Sequence, residues 1–271
     1  TGLLIEAALK ETGLKSDAII TVAVGLPGMV DFDAGRVIWC PFMFERDIPL
    51  RDMLQDAFGY PARIDNDANL LTLAELWFGA GRKRENFAVV SIEHGVGMGL
   101  VIDHQVRRGG GGLGMELGHS KVQMDGALCR CGRRGCLEAY IADYALVREA
   151  STALNIAHIG PDVSETLETL YARAKAGDAS ARAIFSRAGR YLAMGLANIV
   201  TLFDPAVILL SGERLRFDYL YADDVLAEVD RLTFEQGRPP TPIEIYAWGD
   251  FIWAQGAAAL ALEHATEILI D

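Results

Sequence analysis

Residues 129–136, CRCGRRGC, carry three of the chain's four cysteines in one short stretch. The stretch follows ELGHSKVQMDGAL (116–128) and runs directly into LEAY (137–140). Thiolates spaced C-x-C-x4-C, with His119 ahead of them, supply a Cys3His donor set. Four protein ligands of this kind make a closed, tetrahedral, structural zinc site. Gly132 and Gly135 permit the positive φ that a tight knuckle needs. Three thiolates on one Zn2+ leave about one net negative charge, which Arg130, Arg133 and Arg134 are placed to offset. A zinc deaminase would need H-x-E and P-C-x-x-C. Here His119 is followed by Ser120 and Lys121 and the pair is C-x-C, which excludes that class. Cys40, alone in the apolar run VIWC, suits a small core residue.

The composition narrows the remaining classes. The chain has 271 residues, is 51% hydrophobic and carries a formal net charge of -12, so it can bury a large core. It offers no basic footprint of its own for nucleic acid. No apolar run is long enough to span a membrane. The opening segment TGLLIEAALKETG lacks the basic n-region and cleavage site of a signal peptide. A cytoplasmic location with reduced thiols is therefore expected. The same segment reads as an amphipathic helix closed by Gly13. A chain that opens inside a helix is expected to be part of something longer.

Further along, AIITVAVGLPGMV (18–30) is an apolar, strand-like run ending at a Gly-Pro-Gly turn. DFDAGRVIWC adds a turn and a strand. Pro49 and Gly59 bracket a helix over 48–59. ARIDND is a short strand whose tip enters the helix ANLLTLAELWFGAG, ahead of which Asp67 suits an N-cap. FAVVSIEHGVGMGLVIDHQVRRG reads as a meander, and GGGGLG as a flexible loop. The second half is mainly helical: LEAYIADYALVREA, SETLETLYARAKAG, then ASARAIFSRAGRYLAMGLANIVTLF. PAVILLSG is a buried strand, TPIEIYAW an edge strand, and AQGAAALALEHATEIL a closing helix. Strands alternating with helices indicate an α/β fold.

ELGH (116–119), the knuckle CRCGRRGC and the following Leu137-Glu138 resemble the signature of the ROK family (repressors, open reading frames, kinases). The resemblance extends to GLPGMVD, DNDAN (65–69) and EHGVGMGLV (93–101), from about residue 18 to the C-terminal helix. It implies a two-lobed actin-like ATPase (ribonuclease H-like) fold whose first strands lie before Thr1. Residues 1–66, with the helix at about 255–271, would form the rest of the N-terminal lobe, and 67–254 a larger lobe carrying the knuckle. It also implies a sugar in the cleft, bound by Gly28, Asn66, Asp67, Glu116, His119 and Glu138. Carboxylates suit this task because their bonds to hydroxyls are charge-assisted. Zinc on His119, Cys129, Cys131 and Cys136 would fix the backbone beside Glu116 and Glu138. One imidazole nitrogen would face the metal while the other meets a sugar hydroxyl.

The family holds both sugar kinases and sugar-responsive transcriptional regulators. A kinase (for glucose, N-acetylglucosamine or N-acetylmannosamine) would use Mg-ATP, with Asp67 as general base. A regulator would sense a hexose, xylose or N-acetylated sugar and meet DNA through an N-terminal domain outside this chain. Such a regulator is expected to be a homodimer, or a higher homo-oligomer, presenting two half-sites. At the phosphate turn, the kinases' G-T-G is matched with Gly95-Val96-Gly97, which lacks the hydroxyl. At the adenosine turn, Ser211-Gly212-Glu213 sets a carboxylate against the nucleotide. Both features favour the regulator.

Overall fold

The computed structural model describes residues 1–112, 114–154, 163–211, 223–234, 237, 239–246 and 251–270. The helices and strands, in chain order, are α1 (Gly2–Thr12), β1 (Val22–Leu26), β2 (Met29–Asp31), β3 (Arg36–Trp39), α2 (Leu50–Phe58), β4 (Ala62–Asn66) and α3 (Asp67–Trp77). Next come β5 (Phe87–Ile92), β6 (Val96–Ile102), β7 (Gln105–Val106), α4 (Glu138–Ile141), α5 (Asp143–Leu154) and α6 (Ser164–Lys175). The series ends with α7 (Ala179–Phe203), β8 (Ile208–Ser211), α8 (Asp223–Leu232), β9 (Ile243–Tyr246) and α9 (Ile252–Ile270). Gly13 and Gly59 end α1 and α2 in the left-handed conformation, at φ 69° and 74°, as their sequence positions predict.

The chain divides into two compact units. The first comprises Thr1–Lys83, Val106–Gly114 and Asp250–Asp271, and the second Arg84–Gln105 and Met115–Gly249. This division falls after Lys83, whereas the sequence suggested a boundary after residue 66. The difference is α3: its Leu70 and Leu73 pack with Ala259 and Leu260 of α9, so it belongs with the first unit.

In the first unit β1 and β4 form a parallel pair with Leu26 opposite Asn66, and β2 and β3 form an antiparallel hairpin. Val30, Val37, Leu54 and Ile64 make the core beneath them. Gly28 stands between β1 and β2 at φ 107°, and a Cβ there would lie 2.3 Å from the Trp39 carbonyl oxygen. Only glycine fits both the dihedral and the space.

The second unit is built on a five-stranded sheet in the order β7-β6-β5-β8-β9. Strand β5 pairs antiparallel with β6 and parallel with β8, and β9 runs parallel to β8 at the edge. All four residues of β8 are buried, which is why it reads as a continuous apolar run and not as an alternating one. Leu137, Ile141, Leu167, Phe185, Leu192 and Leu196 join the sheet residues in one core. Full burial of each such side chain stabilises by about 1.5–3 kcal/mol. The run expected as one helix from Leu137 is two, because Ala142 takes an extended conformation (φ -71°, ψ 161°) between α4 and α5. That break lets Glu138 and Asp143 each open a helix. Helix α8, rich in acids, was not marked by the sequence reading.

Candidate functional site

The knuckle is built from local hydrogen bonds. Gly132 donates to the Cys129 carbonyl at 3.0 Å, and Cys129 donates to the Arg133 carbonyl at 2.8 Å. Gly132 and Gly135 have φ of 81° and 74°, as their spacing requires. The ligand atoms of His119, Cys129, Cys131 and Cys136 all lie within 4.8 Å of one another. His119 Nδ1 is 3.8 Å from Cys129 Sγ, and the sulfurs of Cys131 and Cys136 are 3.7 Å apart. Those separations match the edge of a tetrahedron with metal–sulfur bonds of about 2.3 Å, which is about 3.8 Å. Burial pushes the Cys129 thiol up to about 12, so a bound cation is what would keep it a thiolate at neutral pH. The donor set fits zinc.

Charge compensation differs from the expectation. Lys121 Nζ lies 2.7 Å from Cys136 Sγ. Arg130 instead stacks over the Tyr144 ring at 4.2 Å, and Arg134 donates to the Gly126 carbonyl at 3.2 Å. Among the described residues, a lysine is the cation bonded to a ligand sulfur.

Glu138, only 9% exposed, stands beside this cluster. Its Oε1 accepts from the Tyr144 hydroxyl at 3.3 Å and lies 3.5 Å from Cys129 Sγ, which can donate to it only as the metal-free thiol. The Tyr144 hydroxyl also lies 3.5 Å from Cys129 Sγ, so its single proton is shared between a metal ligand and the carboxylate. On its other side Glu138 Oε2 accepts from the Val96 amide at 3.4 Å. Glu116 precedes, and His119 ends, a short 3-10 turn (Leu117–His119) that follows Met115. Met115 takes a left-handed φ of 64°. Gly118 fits closely there, since a Cβ would lie 2.4 Å from the Val96 carbonyl oxygen. Glu116, His119, Glu138 and the metal ligands are therefore gathered on one unit.

Val96, matched in the sequence to a phosphate turn, instead opens β6 and is 7% exposed, its side chain in the same core as Leu117. The exposed residue of the β5–β6 turn is His94. Glu213 and Gly212 lie outside the described residues, while Ser211 is buried at the end of β8.

The first unit carries Gly28, Asn66 and Asp67 where β1 and β4 end. Asn66, not Asp67, is the N-cap of α3, its side chain accepting from the Asn69 amide at 2.8 Å. Asp67 is the first helical residue, and its Oδ1 accepts from the Ala68 amide. Burial raises the Asp67 carboxyl above its ordinary value, against the lowering effect of the Ala68 amide. This raised proton affinity suits a group that accepts from hydroxyls or removes a proton.

Asp65, which the sequence reading passed over, anchors this segment. It is fully buried and accepts from Arg108 Nε at 2.7 Å, Asn69 Nδ2 at 2.8 Å and the Asn66 amide at 2.8 Å. The Arg108 guanidinium lies 3.9 Å over the Phe32 ring. The signal in the sequence was weak, because a buried acid at a strand tip looks like any other loop carboxylate.

A family model described as the ROK family matches residues 3–264. The xylose repressor of Caldicellulosiruptor bescii is 28% identical over 237 residues, covering 85% of this chain and 59% of the repressor. This chain spans 59–63% of the length of the xylose repressors it matches. A ROK hexokinase from Thermus thermophilus is similar in structure, with a TM-score of 0.82 and 33% identity, over 96% of this chain and 84% of that one. A ROK family transcriptional regulator, described as a homologue of the E. coli MLC protein, has a TM-score of 0.79 and 27% identity. That match covers 99% of this chain and 68% of the regulator. The fold is thus the actin-like ATPase fold with α/β content, and by motif, family model and structure the chain belongs to the ROK family.

Proposed function

We propose that the chain is the sugar-binding effector domain of a transcriptional regulator, with a structural zinc in the Cys3His knuckle. Its ligand would be a hexose, xylose or an N-acetylated sugar. The observation that carries the sugar assignment is Glu138. It is a buried carboxylate held by the Tyr144 hydroxyl and the Val96 amide, an acceptor of the kind hydroxyl recognition needs. Glu116, His119, Asn66, Asp67 and Gly28 are the other residues that the motif resemblance assigns to the ligand. The regulator side is supported by the xylose repressors among the relatives and by His94, where a hydroxyl would suit a phosphate turn. Homodimerisation, a cytoplasmic location and DNA contact through a separate helix-turn-helix belong to this proposal.

Sugar kinase is the second reading, favoured by the hexokinase likeness and by the raised Asp67 carboxyl. In that case Asp67 would act as general base toward Mg-ATP. Titration calorimetry with glucose, xylose, N-acetylglucosamine and N-acetylmannosamine tests the sugar assignment. A carboxylate-to-hydroxyl bond contributes about 1.5–3 kcal/mol, so Glu138→Gln should weaken binding roughly ten- to a hundredfold. Absence of binding by every sugar in the panel would refute the assignment.

A further inference from the structure

The β5–β6 turn is fastened at two points to neighbouring helix starts. At one end the Val96 amide donates to Glu138 Oε2. A Cβ on Gly95 would sit 3.1 Å from that same oxygen. At the other end the Asp143 amide donates to the Glu93 carbonyl at 3.3 Å. Between them stands His94, whose side chain is 80% exposed, while its partner Asp143 is 4% exposed. His94 Nδ1 and Asp143 Oδ2 are 2.9 Å apart.

An exposed imidazole usually rotates freely, and ordering it has an entropic cost. Here a buried carboxylate orients it. In the neutral ring, a carboxylate at Nδ1 selects the tautomer with the proton on that nitrogen, which leaves a lone pair on Nε2. In a ring this exposed, that acceptor is open to solvent one residue from Gly95, where an added Cβ would crowd Glu138. We propose that His94 is a ligand-binding residue, accepting a hydrogen bond from one hydroxyl of the bound sugar, with Asp143 as the positioning residue behind it. The inference rests on the sugar-binding reading of Glu138 and extends it to a specificity-setting contact. A neutral hydroxyl fits better than a phosphoryl group. The dyad offers an acceptor on the turn whose next amide but one is bound by Glu138, and a phosphoryl oxygen needs donors.

The test is calorimetry on the full chain with one neutral sugar that binds, its monodeoxy analogues and its phosphate esters. His94→Phe should weaken the parent sugar roughly three- to tenfold, and His94→Gln, which regains an acceptor, should recover part of the loss. One monodeoxy analogue should be insensitive to His94→Phe, because it lacks the hydroxyl that His94 reads. Asp143→Asn should weaken the parent sugar in the wild type and have little further effect in the His94→Phe background. Nitrogen NMR of the neutral imidazole should show the Nδ1-protonated tautomer in the free protein. An equal loss across all deoxy analogues would make His94 merely structural, and no loss would remove it from the site. Binding confined to phosphate esters, with His94→Phe abolishing it, would make the ring a phosphoryl donor and overturn the proposal. In each of those cases Glu138→Gln still reports on sugar binding separately. If no neutral sugar or ester binds the wild type, both readings fall.

Discussion

Cys131→Ser isolates the contribution of metal to stability, because of where Cys131 sits. Cys129 and Cys136 are 2% and 0% exposed, so replacing either one disturbs packing as well as ligation. Cys131 is exposed, and an exposed Cys→Ser change with no metal involved stays within about 0.5 kcal/mol. If the knuckle holds zinc at roughly a thousand times its dissociation constant, the metal stabilises the folded state by about 4 kcal/mol. Serine in place of a thiolate should remove most of that. A unit of this size shifts by roughly 2–4 °C per kcal/mol, so the melting midpoint should fall by roughly 8–16 °C. Scanning calorimetry with and without chelator, beside metal analysis, is the assay. Wild type should carry about one zinc per chain and fall to the Cys131→Ser midpoint on chelation, while the variant should lack zinc and ignore the chelator. Cys40→Ser provides the contrast. That residue is buried outside the knuckle, so its variant should be destabilised yet remain as chelator-sensitive as wild type. A Cys131→Ser protein melting within about 1 °C of wild type would refute the zinc assignment.

Two further perturbations address the first unit. Asp65→Asn removes the charge that faces Arg108, whose Nη2 is buried with no hydrogen-bond partner among the described residues. Because the Arg108 side chain is 19% exposed, the cost should fall at the low end of the range for broken buried pairs, about 3 kcal/mol, read by urea denaturation. A loss under about 1 kcal/mol would contradict the anchoring role. Asp67→Asn tests the raised carboxyl. Burial raises its folded pKa above the unfolded value, so the ionised form opposes folding. The wild type should then lose stability relative to Asp67→Asn as pH rises through the folded pKa, with no such change below the unfolded value of about 3.9. A difference independent of pH would remove the electrostatic cause.

The knuckle was legible because its chemistry is local. Ligand spacing and two glycines state the geometry within a few residues. DNDAN was legible in part: Asn66 and Asp67 stood out by motif, but the cap fell on Asn66, one residue before the position expected. Contacts that close over long separations were not legible. Asp65 meets Arg108, and His94 meets Asp143, only after β4 and α5 are in place. Val96 was misjudged for a related reason. A glycine-flanked valine reads as a turn, yet its pairing with Ile92 makes it the first residue of β6, with its side chain in the core. The helix break at Ala142 has no glycine or proline to announce it.

The central claim, a sugar sensor and not a sugar-phosphorylating enzyme, is tested most directly by incubating the protein with Mg-ATP and the sugar it binds best in calorimetry, and measuring ADP and sugar phosphate. The sensor predicts sugar affinity indifferent to Mg-ATP and no ADP above the sugar-free control. Stoichiometric conversion of ATP and sugar to ADP and sugar phosphate, abolished by Asp67→Asn, would contradict it and make the chain a ROK kinase.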